Sequence, residues 1–140
     1  MARDVARASW QASSTDGTTI CHPSVSEYLR ETHAAAAQAG AVDLNLLLLG
    51  RRPIAFAYNY HYQGRVFALR KGFDPEFASL RPGMVLDRRV IENSFALGDT
   101  QYDMGEASLD MKRHWQTSVQ TSYRFTHFPA TVGRVQLLRM

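Results

Sequence analysis

The sequence has little of what marks several large classes of protein. Its 140 residues include one cysteine, Cys21, so no disulfide can form within the chain, and a reducing compartment is expected. The longest strongly apolar run, residues 44–49, is far shorter than the roughly 20 residues needed to cross a membrane. Residues 1–14 have no apolar segment of the kind found in a signal peptide. These absences predict a cytoplasmic protein without a membrane span.

Excess charge and metal-binding patterns are also scarce. There are 16 Lys and Arg against 13 Asp and Glu, which gives a formal net charge of +3. Proteins that bind nucleic acid usually carry a basic stripe or patch, so no nucleic-acid partner is expected. The five histidines show no spacing typical of a metal site, so no metal is expected either.

What is present suits one soluble domain. The chain is 45% hydrophobic and 21% charged, and its length is close to that of an average single domain. We therefore predict one domain over residues 1–140. Residues 1–22 are predicted to be irregular because the stretch "WQASSTDGTT" is rich in turn-forming residues.

Residues 23–40 have the signals of a helix. Ser24 and Glu27 are spaced as a capping box, and Gly40 can adopt the left-handed conformation that ends a helix. One predicted face carries apolar and small residues: Val25, Tyr28, Leu29, Thr32, Ala35, Ala36 and Ala39.

Three strands are predicted next, joined by tight turns that make them antiparallel neighbours. Residues 43–49 are almost wholly apolar, which favours an inner strand buried on both faces. Residues 54–62 alternate, with Tyr58, Tyr60 and Tyr62 on one face, and such a face usually packs under a helix. Residues 65–73 form the third strand.

A helix from Pro82 to Gly98 and a strand over residues 100–104 complete a crossover. A short helix over residues 107–115, with Ser108 as its cap, and strands over residues 121–128 and 132–140 are expected to follow. The fold class is therefore α+β, with a mostly antiparallel mixed sheet and a central strand–helix–strand crossover.

The crossover helix opens on Pro82-Gly83. Proline often simply starts a helix, and on the residues alone that interpretation is favoured. The alternative is an anion site, since the first turn has unpaired N–H groups and Gly83 has no side chain to block approach.

Two carboxylates and one basic cluster are further candidates. Asp74 and Asp103 follow the two strands that flank the crossover, where ligands bind in such sheets, although each also suits a structural hydrogen bond. "DMKRHW" at residues 110–115 either forms a basic helix face with Trp115 in the core or places Lys112 near a negative substrate.

Taken together, an ordered set of residues resembles the acetyltransferase domain of the GNAT superfamily, of the FemAB-like and cellulose-biosynthesis type. The resemblance extends from residue 8 to residue 115 and depends on Pro53-Ile54-Ala55, Gly64-Arg65, Phe73-Asp74, Phe77, Pro82-Gly83, Tyr102-Asp103, Gly105, Lys112 and Trp115.

The resemblance implies an acyl-CoA-dependent N- or O-acyltransferase, with acetyl-CoA as co-substrate and a role in cell-envelope or exopolysaccharide biosynthesis. Main-chain N–H groups of Arg81, Gly83, Met84 and Val85 would bind the pyrophosphate. Asp103 or Asp74 would assist proton transfer, while Lys112 and Trp115 would bind the acceptor or the co-substrate. The acceptor would be a small molecule, a saccharide or a peptide, and it would attack directly.

Two departures from that family keep alternatives open. Relatives often carry a tyrosine just before the lysine, where this chain has Met111, which puts a phenolic general acid in doubt. Relatives also tend to have two GNAT-like halves, and this chain resembles the second, so a homodimer or a partner domain is expected. A catalytically silent binding module and a FemAB-type aminoacyl transferase are the alternative functions.

Overall fold

A computed structural model describes residues 1–13, 19–106, 109–123 and 125. They fall into two compact units, Met1–Gly105 and Glu106–Met140. The elements of the first unit are, in chain order, α1 (Ala2–Ala8), a 3₁₀ helix (Trp10–Ser13), α2 (Pro23–Gln38), β1 (Val42–Leu49), β2 (Arg52–Tyr62), β3 (Arg65–Phe73), a second 3₁₀ helix (Pro75–Leu80), α3 (Pro82–Leu97) and β4 (Gln101–Asp103).

The sheet of the first unit has the order β1-β2-β3-β4. The first three strands form an antiparallel meander, and β4 pairs in parallel with the beginning of β3 after the crossover through α3. The α+β class, with its mostly antiparallel sheet and one crossover, is therefore confirmed. In the described sheet the parallel pair lies at one edge.

Strand β2 has two differently built faces. Phe56 and Tyr58 pack with Val5 and Ala6 of α1, which confirms that the tyrosine-bearing face lies under a helix. On the opposite face Ala55 and Ala57 pack with two α3 residues, Leu86 and Val90. Small side chains on this second face allow α3 to approach the strand closely.

The helix over the aromatic face corrects the prediction of an irregular segment at residues 1–22. Ala2–Ala8 is helical, and Val5 and Ala6 are among the most buried residues of the molecule. Two adjacent buried residues in a seven-residue helix give too short a periodic pattern to be recognised against the turn-forming residues that follow.

The prediction that the apolar strand is an inner one was wrong. Strand β1 is an edge strand of the described sheet, and Leu44, Leu48 and Leu49 are 44%, 49% and 49% exposed. A short apolar run does not reveal whether other elements cover both faces of the strand. The same residues suit an inner strand and an edge strand that binds a partner. Self-association or a partner domain on this strand stays a prediction.

Helix α2 begins earlier than the predicted capping box. The cap is His22, whose Nδ1 accepts a hydrogen bond from the Ser24 N–H at 3.3 Å, and Pro23 occupies the first turn. Glu27 instead forms an ion pair with Arg30 at 3.6 Å. Gly40, with φ of 66°, ends the helix as predicted.

The predicted apolar face of α2 was too wide. Val25, Leu29, Thr32 and Ala36 are half-buried, whereas Tyr28, Ala35 and Ala39 are exposed. Residues at these four positions follow helical spacing along a single narrow stripe, which is the part of the helix that faces the protein.

In the second unit the described residues contain one helix, α4 (Leu109–Lys112). Ser108, the predicted cap, lies outside the described residues, as does the predicted strand over residues 132–140. Within the predicted strand 121–128, residues 121–123 and 125 are described and have no regular structure. Across the described part of the chain, every helix is too short or too polar to cross a membrane.

Candidate functional site

The parallel pair of strands stays together for only three residues. Arg65, Val66 and Phe67 of β3 pair with Gln101, Tyr102 and Asp103 of β4. Strand β3 then continues to Phe73, and no strand among the described residues pairs with the edge of residues 68–73 that faces away from β2. We call this part of β3 the free edge. Its Leu69 and Lys71 carbonyls accept hydrogen bonds from side chains, from Arg70 Nη1 at 2.6 Å and from Gln11 Nε2 at 2.9 Å. Other main-chain groups of such an edge can bind an extended ligand as an added strand would.

A β-bulge interrupts the free edge near its start. Tyr58 pairs with Arg70 while Asn59 pairs with Ala68, so Leu69 is the extra residue on β3. A bulge leaves one residue out of the regular ladder and redirects its main-chain groups. The bulge therefore turns main-chain groups of β3 away from β2 close to the point where β3 and β4 part.

The free edge leads to the start of α3. Arg81 precedes the helix in the left-handed conformation, with φ 49° and ψ 50°, and no side chain caps the first turn. The N–H groups of Met84 and Val85 donate to the Arg81 carbonyl at 3.0 and 3.2 Å. The Gly83 N–H donates to no main-chain carbonyl of the described residues, which leaves it as the open donor of this turn.

Space around the first turn of α3 is also favourable for a ligand. Met84 and Val85 are 43% and 42% exposed, so the turn faces solvent. A Cβ at Gly83 would lie 3.5 Å from the ring of Phe73, the last residue of β3. The helix start therefore adjoins the end of the free edge, and the helix dipole adds partial positive charge there.

Asp74 lies at this same end of β3, but both of its carboxylate oxygens already have partners. One oxygen accepts from Arg52 Nη2 at 2.7 Å and the other accepts from the Glu76 N–H at 3.1 Å. Asp74 is 8% exposed, and Arg52 also contacts Glu76 at 2.7 Å and stacks on Phe77. These contacts fix the turn between β3 and α3.

Asp103 lies at the opposite end of the free edge. It pairs with Phe67, where β3 and β4 part, and its exposed carboxylate accepts from the Gly105 N–H at 2.8 Å. Six residues of β3 lie between Phe67 and Asp74. The two carboxylates are therefore roughly 20 Å apart at the usual rise of a strand. The structure therefore does not bring Asp74 and Asp103 together in one site.

Lys112 and Trp115 are neighbours within the second unit. The Trp115 N–H donates to the Lys112 carbonyl at 2.8 Å, and Asp110 pairs with Arg113 at 3.3 Å in the same turn. Lys112 is buried and Trp115 half-buried. Their assignment to an acceptor or co-substrate stays a prediction.

Sequence reasoning missed a polar cluster near the end of α3. Asp99 accepts from His61 Nε2 at 2.7 Å and from the Ser94 hydroxyl at 2.7 Å. These hydrogen bonds, the one from His61 foremost, hold the pKa of Asp99 below its usual value. The cluster lines a cavity of about 140 Å³ together with Asp43 and Asn93. No sequence spacing connects these residues, because they come from different strands, a helix and a loop.

Burial on the same face also affects Tyr102. Burial, and then the nearby charges of Asp87 and Asp43, raise the pKa of the Tyr102 phenol. The phenol therefore stays neutral at physiological pH. Within the described ranges no group of three or more His, Cys, Asp or Glu side chains is arranged to hold a metal ion.

One protein-family model matches most of the chain. The model of a family described as Acetyltransferase (GNAT) domain matches residues 2–113, which include the whole sheet, the free edge and α3. Searches of curated proteins and of solved structures found no significant match.

Proposed function

Because the chain belongs to the GNAT acetyltransferase domain family, we propose that it transfers an acetyl group from acetyl-CoA to an amine or hydroxyl acceptor. The family supports acyltransferase activity in general terms. One observation carries the finer proposal: the free edge of β3 leads directly to an uncapped helix start with the open Gly83 N–H.

The pyrophosphate of acetyl-CoA is assigned to the first turn of α3. Its negative charge is favoured by the helix dipole and by the Gly83 N–H, which donates to no main-chain carbonyl of the described residues. Of the four predicted main-chain donors, Gly83 is the best placed, since Met84 and Val85 also bond to the Arg81 carbonyl. Exposed Arg81 adds a positive charge beside the turn.

The pantetheine arm is assigned to the free edge. Its two amide groups can exchange hydrogen bonds with β3 in the manner of an added strand. The thioester would then lie toward the bulge at Leu69, where a redirected main-chain N–H can polarise its carbonyl. The acceptor attacks that carbon, the C–S bond breaks, and the acceptor loses a proton while the thiolate gains one.

Asp103 is proposed to assist the loss of that proton. Its carboxylate is exposed at the point where β3 and β4 part, which is the thioester end of the assigned arm. Asp74 lies at the pyrophosphate end and is engaged with Arg52, so we assign it to holding the turn.

The acceptor is proposed to be a saccharide, a peptide or another small amine or alcohol of cell-envelope or exopolysaccharide biosynthesis, as the resemblance implies. Lys112 and Trp115 are proposed to bind that acceptor or the co-substrate. The modest net charge of +3 supports such acceptors over an aminoacyl-tRNA, whose phosphates would call for a basic groove.

A calorimetric titration with acetyl-CoA and free CoA tests the proposal. We expect the wild-type chain to bind both, and Gly83→Glu to weaken binding at least about tenfold, because a carboxylate near phosphates is strongly repelled. Gly83→Ala is the matched control, since its Cβ would make only an ordinary contact with Phe73 at 3.5 Å.

Three results would contradict the proposal in different ways. Equal affinity in wild type and Gly83→Glu would place the CoA site elsewhere. Binding of CoA without acetyl transfer to amine, sugar or peptide acceptors would favour the silent module. Failure of the wild type to bind either CoA compound would remove the acyl-CoA assignment.

A further inference from the structure

An ion pair joins the free edge of β3 to α3. Lys71 Nζ donates to the Asp87 carboxylate at 2.6 Å. The Asp87 side chain is 14% exposed, whereas the Lys71 side chain is 50% exposed. An ammonium group has three N–H donors, and Asp87 accepts from one of them. Because half of the lysine side chain is open to solvent, its ammonium can bind a further acceptor.

The strand register places Lys71 on the face of the sheet that α3 covers. Ala55 and Ala57 of β2 pack against α3, and they pair with Phe73 and Lys71 of β3. Residues that lie opposite each other in an antiparallel pair point to the same face of the sheet. The side chains of Lys71 and Phe73 therefore lie next to each other beside α3.

These two side chains meet two positions of α3 that are one turn apart. A Cβ at Gly83 would lie 3.5 Å from the Phe73 ring, and Asp87, four residues later, accepts from Lys71. Residues four apart on a helix are surface neighbours, with roughly 5–6 Å between their Cβ atoms. The Cα–Cβ bonds of a helix also tilt toward its N-terminus, so Asp87 is directed toward the Gly83 turn. The Lys71 ammonium is therefore held about one helical turn from the open Gly83 N–H.

We propose that Lys71 binds the pyrophosphate of the co-substrate: its ammonium donates to a phosphate oxygen while Asp87 accepts from the same ammonium. A lysine ammonium is a compact point charge on a flexible stem, which suits a phosphate group beside a helix start. The side chain adds a full positive charge to the Gly83 N–H and to the partial charge of the helix dipole. This inference rests on the proposed function.

Two substitutions at the ion pair separate ligand binding from a purely structural role. Lys71→Met removes the ammonium, whereas Asp87→Asn breaks the same ion pair and keeps the ammonium. The ligands are CoA and its nucleotide half, which ends at the diphosphate and lacks pantetheine. We expect Lys71→Met to weaken both ligands about tenfold, the value of one hydrogen bond to a charged group. Asp87→Asn should bind both at least as tightly as wild type, because a negative charge near the phosphates is lost.

Arg88→Met is the matched control. It removes a positive charge from the next residue of α3, where Arg88 pairs with Glu92 at 2.7 Å and its side chain is 70% exposed. We expect it to leave both affinities unchanged. Equal weakening by Arg88→Met and Lys71→Met would mean that only the overall charge matters, and it would overturn the inference.

The other outcomes separate this inference from the proposed function. Equal weakening by Lys71→Met and Asp87→Asn would assign the ion pair a structural role and overturn the inference. Weaker CoA binding by Lys71→Met with an unchanged nucleotide half would also overturn it, since the contact would then be to pantetheine. If Gly83→Glu weakens CoA binding and Lys71→Met does not, the inference fails while the proposed function stands. If wild type binds neither ligand, the proposed function fails as well.

Chemical modification of the wild type gives a readout that does not depend on whether a variant folds. The chain has two lysines, Lys71 and Lys112, so mass spectrometry of its peptides identifies modification at Lys71. We expect the nucleotide half to slow the reductive methylation of Lys71, because a bound phosphate oxygen covers the ammonium. Unchanged methylation of Lys71 at a saturating concentration of the nucleotide half would overturn the assignment.

Discussion

The two ends of α3 are built in opposite ways. At its C-terminal end Gly98 turns the chain in the left-handed conformation, and the N–H groups of Gly98 and Asp99 donate back to the last turn. Asp99 adds bonds to His61 and Ser94 at 2.7 Å each. At the N-terminal end no side chain caps the helix, and the Gly83 N–H donates to no main-chain carbonyl of the described residues.

The difference separates an end with a structural role from an end that we propose binds a ligand. A helix end whose groups are satisfied internally contributes to stability, and it leaves little for a ligand to bind. An uncapped start lacks the side-chain bond that typically contributes about 1 kcal/mol, and it keeps its donors for an anion. Within this helix the C-terminal end fixes the crossover, and the N-terminal end is the one that we propose for the co-substrate.

The largest expected effect is on the rate of acetyl transfer. Asp103→Asn keeps the shape of the side chain and removes its charge, so we expect acetyl transfer to slow by roughly 10²–10⁴-fold, as for a lost general base. The affinity for CoA and the free energy of unfolding should stay close to those of wild type, because the carboxylate is exposed. Acetyl-transfer assays measure the rate, and denaturant titrations measure the free energy of unfolding. Lost stability with an unchanged rate would assign Asp103 a structural role.

A smaller effect is expected on stability, from a change at the C-terminal end of α3. Asp99→Asn should lower the free energy of unfolding by about 1–2 kcal/mol near neutral pH, because the His61 and Ser94 bonds lose a charged acceptor. Binding of CoA should not change, since the cluster lies near the other end of the helix. Denaturant unfolding and calorimetry of the same variant provide both readouts.

The difference between Asp99→Asn and wild type should also depend on pH. The pKa of Asp99 is lowered in the folded protein, chiefly by the His61 hydrogen bond, from a usual value of 3.8. Its contribution is therefore complete above that value and is lost as the pH falls through the lower folded pKa. The two unfolding free energies should converge in acid, and a constant difference down to pH 2 would contradict this role for Asp99.

Local signals in the sequence predicted the parts of the fold that depend on neighbouring residues. Tight turns around Gly64 indicated the meander, alternation indicated the two faces of β2, and Gly40 and Gly98 marked the helix ends. The Pro82-Gly83 pair located the helix start that the structure leaves uncapped. Each of these signals is a conformational preference of the residue itself.

Long-range contacts account for what the sequence did not reveal. The hydrogen bond from Gln11 to Lys71 joins residues 60 positions apart, and that from His61 to Asp99 joins residues 38 apart. Neither pair has a spacing that could be recognised, because only the fold brings the members together. The edge position of β1 was missed for the same reason, since burial depends on neighbours that an apolar run does not identify.

The main-chain amide signals of Gly83 and Gly98 in wild-type protein test the central claim most directly. Both are glycines at the ends of one helix, and nuclear magnetic resonance resolves each N–H during a titration with CoA. We expect the Gly83 signal to shift as its N–H binds phosphate and the Gly98 signal to stay in place. A shift at Gly98 without one at Gly83 would contradict the assignment of the co-substrate to the start of α3.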